Sequence, residues 1–153
     1  MTEPAFDVPV ANRWFAVECN NAAWALVETA KRSAEDTARM LHLAHAAAWH
    51  WSQVGKPINQ VRAVNLLATA YLAAHQVVSA VDYAEQGLRL ATSLDGELTD
   101  FDRACLHGAA AAAYRLAGRR AEAAREEAAA RIVAAALDAA DRLVFERLYP
   151  TPA

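Results

Sequence analysis

Glycine and proline are scarce in this chain, five of each among 153 residues, which excludes collagen-like and loop-rich low-complexity architectures. Cysteine is scarcer still. Cys19 and Cys105 stand alone without CxxC spacing, so they read as small buried apolar residues rather than as metal ligands or a disulfide. No apolar run approaches the roughly 20 residues that a membrane span needs. No stretch keeps up the alternation of a half-buried strand. Charge of one sign is missing too: 15 Lys and Arg against 18 Asp and Glu give a net −3 and a pI near 5.9, which argues against a general nucleic-acid binder. GxSxG, P-loop and GxGxxG motifs are absent, so no nucleophile elbow or phosphate cradle is encoded. The opening MTEPAFDVPV is acidic and broken by proline, unlike a signal peptide, and a cytoplasmic protein is expected.

What is present is alanine at helical spacing. Hydrophobic residues make up 56% of the chain, a figure raised by alanine, which lets helices pack closely without bulky side chains. Pro4 and Pro9 hold residues 1–10 as an extended lead-in. A first helix is expected over about Ala11–Arg32. Ser33 and Asp36 form a capping box for a second, ending at Val54 with Gly55 as a left-handed cap. Pro57 opens a third helix, reaching about Ala74, and a fourth spans about Val77–Thr92. After the connector SLDGELTD, Thr99 and Asp102 cap a fifth helix, which ends at Gly118. From Arg120 to Tyr149 the chain is helix-forming, with a break near Ala139–Asp141.

The stretch AVNLLATAYLAAHQVVSAVDYAEQGLRL, Ala63–Leu90, organises the rest. Val64, Leu67, Ala68 and Tyr71 make one apolar stripe, and Ala80, Val81, Ala84, Gly87 and Leu88 make another. Leu67, Ala68, Tyr71, Ala80 and Leu88 stand where the tetratricopeptide repeat carries its signature, and the segment resembles a degenerate member of that class. The departures are Val64 for the tryptophan, His75 for the turn glycine, Ala84 for the aromatic residue, Gly87 for the last alanine, and no closing proline. Tyr71 and Tyr114, His75 and Gly118, and Ala80 and Ala123 are each 43 residues apart, and a shift of 42 leads back from Ala80 to Ala38. The resemblance therefore implies an all-α, TPR-like α-α superhelix of about three helix pairs in a single domain, at approximately 11–55, 56–95 and 98–149.

In such repeats the first helix of each pair lines a concave groove. Here those positions include Arg62, Asn65 and Thr69, with Asn59 on the same line and Asn20, Cys105 and Gly108 at the shifted places. Arginine is a planar donor for carboxylate or phosphate, and asparagine can clamp a peptide backbone; the plainer reading is a solvated face with Arg62 in an ion pair. His107 takes the place of a packing tryptophan, and Asp102 caps its helix. The richest polar cluster lies in the second helix, where His42, His45 and Trp49 share one face and His50 follows. His42 and His45, one turn apart, are an alternative metal pair, short of the three or four ligands a site needs. The plainer reading makes them packing residues. The stretches AHAAAWHWSQVGKPINQVR and DFDRACLHGAAAAAYRLAG also look like a group of short bacterial repeat proteins to which no activity is attached. That resemblance adds weight to Trp49, His50, Asn59, Arg62 and His107.

Arg115, Arg119, Arg120, Arg125 and Arg131 are interleaved with Glu122, Glu126 and Glu127, a salt-bridged solvent face. Val133, Leu137, Ala140, Val144 and Leu148 form an apolar stripe that either folds back on the third repeat or pairs with a second copy; the homodimer is the expectation. The function expected is a non-enzymatic adaptor that needs no cofactor and holds a peptide or protein partner in its groove. A small-molecule or metal site at the His/Trp cluster, possibly catalytic, is the alternative. Neither nucleic acid nor membrane is an expected partner.

Overall fold

The computed structural model describes residues 4–94 and 96–151. Residues 1–3 of the expected lead-in and Asp95 of the expected connector lie outside the described residues. Among the described residues there are seven helices and no strand: α1 (Val8–Val27), α2 (Ala34–Val54), α3 (Pro57–Ala73), α4 (Val77–Ala91), α5 (Asp100–Leu116), α6 (Arg120–Ala134) and α7 (Ala139–Leu148). Among the described residues no helix is long and apolar enough to cross a membrane.

Local chemistry sets the boundaries. α1 begins earlier than expected because the Asp7 carboxylate accepts from the Val10 amide at 2.9 Å, while Pro9 falls in a first turn where its missing N–H costs nothing. α1 also ends earlier. The chain leaves it at Val27, and the Arg32 guanidinium turns back to donate to the Leu26, Val27 and Thr29 carbonyls at 2.7–3.1 Å. A cation at a helix C-terminus meets the negative end of the dipole. The boxes at Ser33/Asp36 and Thr99/Asp102 are both formed. Gly55 is extended, with φ −78° and ψ 152°, and not left-handed. Glycine is needed there for a different reason: a Cβ would lie 2.5 Å from the Trp51 carbonyl oxygen.

The 43-residue spacing reappears as one repeated turn. His75 at φ 55° is, among the described residues, the non-glycine with positive φ, and Gly118 stands at φ 74°. The Gln76 amide donates to the Tyr71 carbonyl and the His75 amide to that of Leu72, both at 3.0 Å. Arg119 to Tyr114 and Gly118 to Arg115 repeat this at 2.9 and 3.1 Å. Both are Schellman motifs.

Side-chain contacts show that consecutive helices run antiparallel. The start of α1 meets the end of α2 where Asn12 bonds His50 at 2.7 Å. Tyr71 of α3 stacks on Tyr83 of α4 with ring centroids 5.5 Å apart. His107 of α5 meets Glu126 of α6 at 2.8 Å. α1, α3 and α5 therefore run side by side in one direction. Arg32, beyond α1, bonds the Ala73 carbonyl at the end of α3, and Arg62 of α3 meets Asp102 of α5 near their starts.

Between them the core is built mostly of alanine. Ala16, Ala23, Ala44, Ala47, Ala68, Ala70, Ala80, Ala104, Ala110 and Ala113 have no accessible surface, and the largest fully buried side chains are Met40, Leu66 and Val61. Such contacts bring helix axes to the short end of the usual separation, about 8 Å. The last helix-forming stretch is divided into α6 and α7 a few residues before the break expected near Ala139–Asp141. The break falls at 135–138, where the Asp138 carboxylate accepts from the Ala140 and Asp141 amides at 2.9 Å. The apolar stripe is thereby divided between α6 and α7. α7 then returns across the face shared by α1, α3 and α5, and Leu137, Phe145 and Tyr149 are buried within the chain.

His75 and Gly118 share a geometry with opposite residue choices, so they test it. The left-handed conformation costs a side-chain-bearing residue about 1–2 kcal/mol, and glycine's freedom in the unfolded chain offsets about 0.4–1 kcal/mol of that. His75→Gly is expected to stabilise the fold by about 0.5–1 kcal/mol. Gly118→Ala, with nothing within 4 Å of the added Cβ, is expected to destabilise it by about the same amount. Urea unfolding of both variants checks the two signs.

Candidate functional site: the face shared by α1, α3, α5 and α7

Arg62, Asn65 and Thr69 lie along one line of α3, and the structure brings all three to the face shared with α1, α5 and α7. Their situations differ. The Arg62 Nε and Nη2 donate to the two carboxylate oxygens of Asp102 at 2.8 and 2.9 Å. The arginine side chain is about half exposed (49%) and the aspartate nearly buried (10%). Asp102 is also bonded by the Thr99 amide and hydroxyl, so one carboxylate caps α5 and ties it to α3. Burial works against its charged form, but the hydrogen bonds from Arg62 and Thr99 outweigh burial and hold its pKa below the ordinary 3.8.

Asn65 and Thr69 are buried beneath the end of α7. The Thr69 hydroxyl donates to the Asn65 carbonyl at 2.8 Å, which leaves its oxygen to accept from the Tyr149 phenol at 2.7 Å. The Asn65 Nδ2 donates to the same phenol at 3.4 Å. Its Oδ1 is buried without a partner among the described residues. Burial pushes the Tyr149 phenol pKa up, so the ring stays neutral and its O–H remains a donor.

Gly108 makes this seat possible. A Cβ there would come within 2.8–2.9 Å of the rings of Phe145 and Tyr149, so only glycine lets α7 lie this close to α5. On the α1 side of α7, Arg147 reaches Glu28 beyond α1 at 3.1 Å, both partners substantially exposed.

α7 does not fill the groove. On one side a cavity of about 580 Å³ is lined by Asn20 and Trp24 of α1, Arg62 and Asn65 of α3, Cys105 of α5 and Asp141 of α7, among others. On the other a cavity of about 460 Å³ reaches Thr69, Gly108 and Arg115. Burial, with the nearby Asp102 and Asp141 carboxylates, pushes the Cys105 thiol up to about 12, which makes it a poor nucleophile at neutral pH.

The remaining sequence-predicted residues lie elsewhere. The Asn59 side chain accepts from the Lys56 amide at 2.9 Å and caps α3. Trp49 is 63% exposed. His50 bonds Asn12 and stacks on Phe15 at 5.3 Å. His45 bonds the Tyr71 hydroxyl at 2.8 Å, and burial, with His42 nearby, lowers its pKa. His107 bonds Glu126, a buried carboxylate that Arg125 also holds. The histidines that could have made one site therefore bond at three separate places. Among the described residues no group of three or more His, Cys, Asp or Glu is placed to hold a metal.

Comparison with protein-family models, with curated proteins and with solved structures finds no match.

The residues missed in the sequence are Phe145 and Tyr149. Their spacing of four is a usable signal, but the stripe through Val144 and Leu148 on the adjoining face obscures it. Gly108, the lone glycine in an alanine-rich helix, was the pointer to a close approach.

Two outcomes follow from this geometry. Tyr149→Phe removes the hydroxyl between Asn65 and Thr69 and leaves buried polar groups unsatisfied; a loss of about 1–3 kcal/mol is expected in chemical unfolding. The depressed Asp102 pKa contributes stability that is fully present above the unfolded value of about 3.9 and is lost as pH falls through the folded one. Arg62→Ala is expected to cost about 1–2 kcal/mol at pH 7, discounted for the arginine's exposure. Melting temperatures between pH 7 and pH 3 should show the variant and wild type converging at the acid end.

Proposed function

We propose that the chain is a non-enzymatic, TPR-like adaptor that binds a segment of a protein partner on its concave face. The observation that carries this reading is the cavity of about 580 Å³ beside α7. Its wall combines apolar surface from Trp24, Leu137, Val144 and Leu148 with polar groups from Asn20, Arg62 and Asp141. An apolar wall with a few placed polar groups is what a binding site for peptide side chains requires. The helices that line it are held rigidly by Arg62–Asp102 and by Arg32, which bonds the end of α3.

The partner is read as a different protein. Leu137 is buried, and Val133, Val144 and Leu148 are half-buried within the chain, so of the large apolar residues of α6 and α7 only Ile132 and Leu143 stay well exposed. That leaves little apolar area to drive a two-fold contact through the C-terminal helix.

Arg62→Glu, the obvious probe of the groove, would set a carboxylate against Asp102 and lose the α3–α5 tie, mixing binding with folding. Asn20 is the better position. Its side chain is half-buried at the cavity wall and bonds only its neighbour Asn21 among the described residues. Asn20→Trp is expected to fill the cavity with little change in melting temperature. It should remove the host proteins captured by the wild type, read by quantitative mass spectrometry of both eluates. Identical captured sets would overturn the reading.

A further inference from the structure

α7 is ten residues long, shorter than the roughly 12–15 at which an isolated helix begins to hold in water. It keeps its shape because the groove holds it, and the terms of that hold can be read off the contacts. Two large side chains, Phe145 and Tyr149, one helical turn apart, are buried against Gly108. One arginine between them, Arg147, meets Glu28. Val144 and Leu148 face the larger cavity. This is the anchor pattern of an amphipathic helix laid in a hydrophobic groove.

The seat is also imperfect. The Asn65 Oδ1 is buried without a partner among the described residues, and the Asn65–Tyr149 bond is long at 3.4 Å. The Arg147–Glu28 pair is exposed on both sides, so it holds weakly. Cavities of about 580 and 460 Å³ flank α7, and its tie to α6 is local, through the turn at 135–138 and the Arg142 bonds to the Ala135 and Leu137 carbonyls.

Resting on the groove reading above, we infer that α7 is a displaceable stand-in for the partner. The partner segment is accordingly a short amphipathic helix with large apolar or aromatic residues at i and i+4 and a basic residue at i+2. It competes with α7 for the Gly108 seat, and a hydrogen-bond donor facing Asn65 would satisfy the Oδ1 that α7 leaves unpaired. The apparent affinity of such a helix is lowered by the fraction of chains in which α7 is seated.

The α7 sequence itself, as a fluorescein-labelled peptide of residues 138–150, is the probe. The full chain carrying Phe145→Ala and Tyr149→Ala should bind it about tenfold or more tightly than the wild type by fluorescence anisotropy. Adding Gly108→Leu to that variant should abolish the binding. A double variant that keeps its helical signal yet binds no better than the wild type would overturn the inference. Hydrogen exchange on the wild type covers the case in which the double variant does not fold. Amides of residues 142–149 should exchange about 100-fold or more faster than those of 109–114, through local opening; equal protection would overturn the inference. If the peptide enters the groove while Asn20→Trp leaves host capture unchanged, the adaptor reading fails and the α7 inference stands. If host proteins bind at the Asn20 cavity and α7 stays as protected as α5, the inference fails and the adaptor reading stands.

Discussion

How closely the helices approach is the constraint from which the rest of this structure follows. More than half of the buried apolar side chains are alanine; Gly108 serves where even a methyl group would collide with Phe145 and Tyr149, and at Gly87 one would press on Leu106. Close approach multiplies backbone and Cβ contacts, each worth only about 0.1–0.2 kcal/mol. It buries little apolar area per residue, however, so a few large side chains carry a disproportionate share of the core. Met40 and Leu66 serve the first half of the chain and Phe145 with Tyr149 the second. The second pair arrives from outside the three helix pairs, on a helix that has no partner of its own.

Polar contacts then fix what an alanine surface leaves loose. Smooth helices can slide along one another, and register is set by groups that reach across. Arg62 locks the start of α3 to α5 through Asp102. Arg32 closes the ends of α1 and α3 with one guanidinium. Arg119 joins α6 to Glu85 of α4 while stacking on Tyr114. The expected salt-bridged face is formed by arginines paired with glutamates both within α6 and across helices.

Much of the fold was legible in the residues. The capping boxes and the proline at the start of α3 are local signals, and the four helices α2 to α5 lie within two residues of their expected bounds. The misses were tertiary or positional. Pro9 was read as a helix breaker, although in a first turn it is neutral. Gly55 was read as left-handed when a close carbonyl explains it. The break expected near Ala139–Asp141 falls a few residues earlier, at 135–138. Arg62, Asn65 and Thr69 share one side of α3 as their spacing implies, but two of them are covered and not open to a groove. That Asn65 and Thr69 lie under Tyr149 was not readable, because a contact 80 residues distant leaves no periodic trace in one sequence.

That distant contact changes the thermodynamic character of the molecule. Three stacked helix pairs touching only their neighbours would behave as a linear array, free to fray from either end. α7 joins the end of the chain to its beginning, from Arg147 to Glu28 and from Tyr149 to the middle of α3. With α7 seated the array is closed into a ring, and when α7 leaves its seat the array returns to a line whose ends fray independently. The shortest helix thereby sets whether this small protein behaves as one cooperative unit or as three.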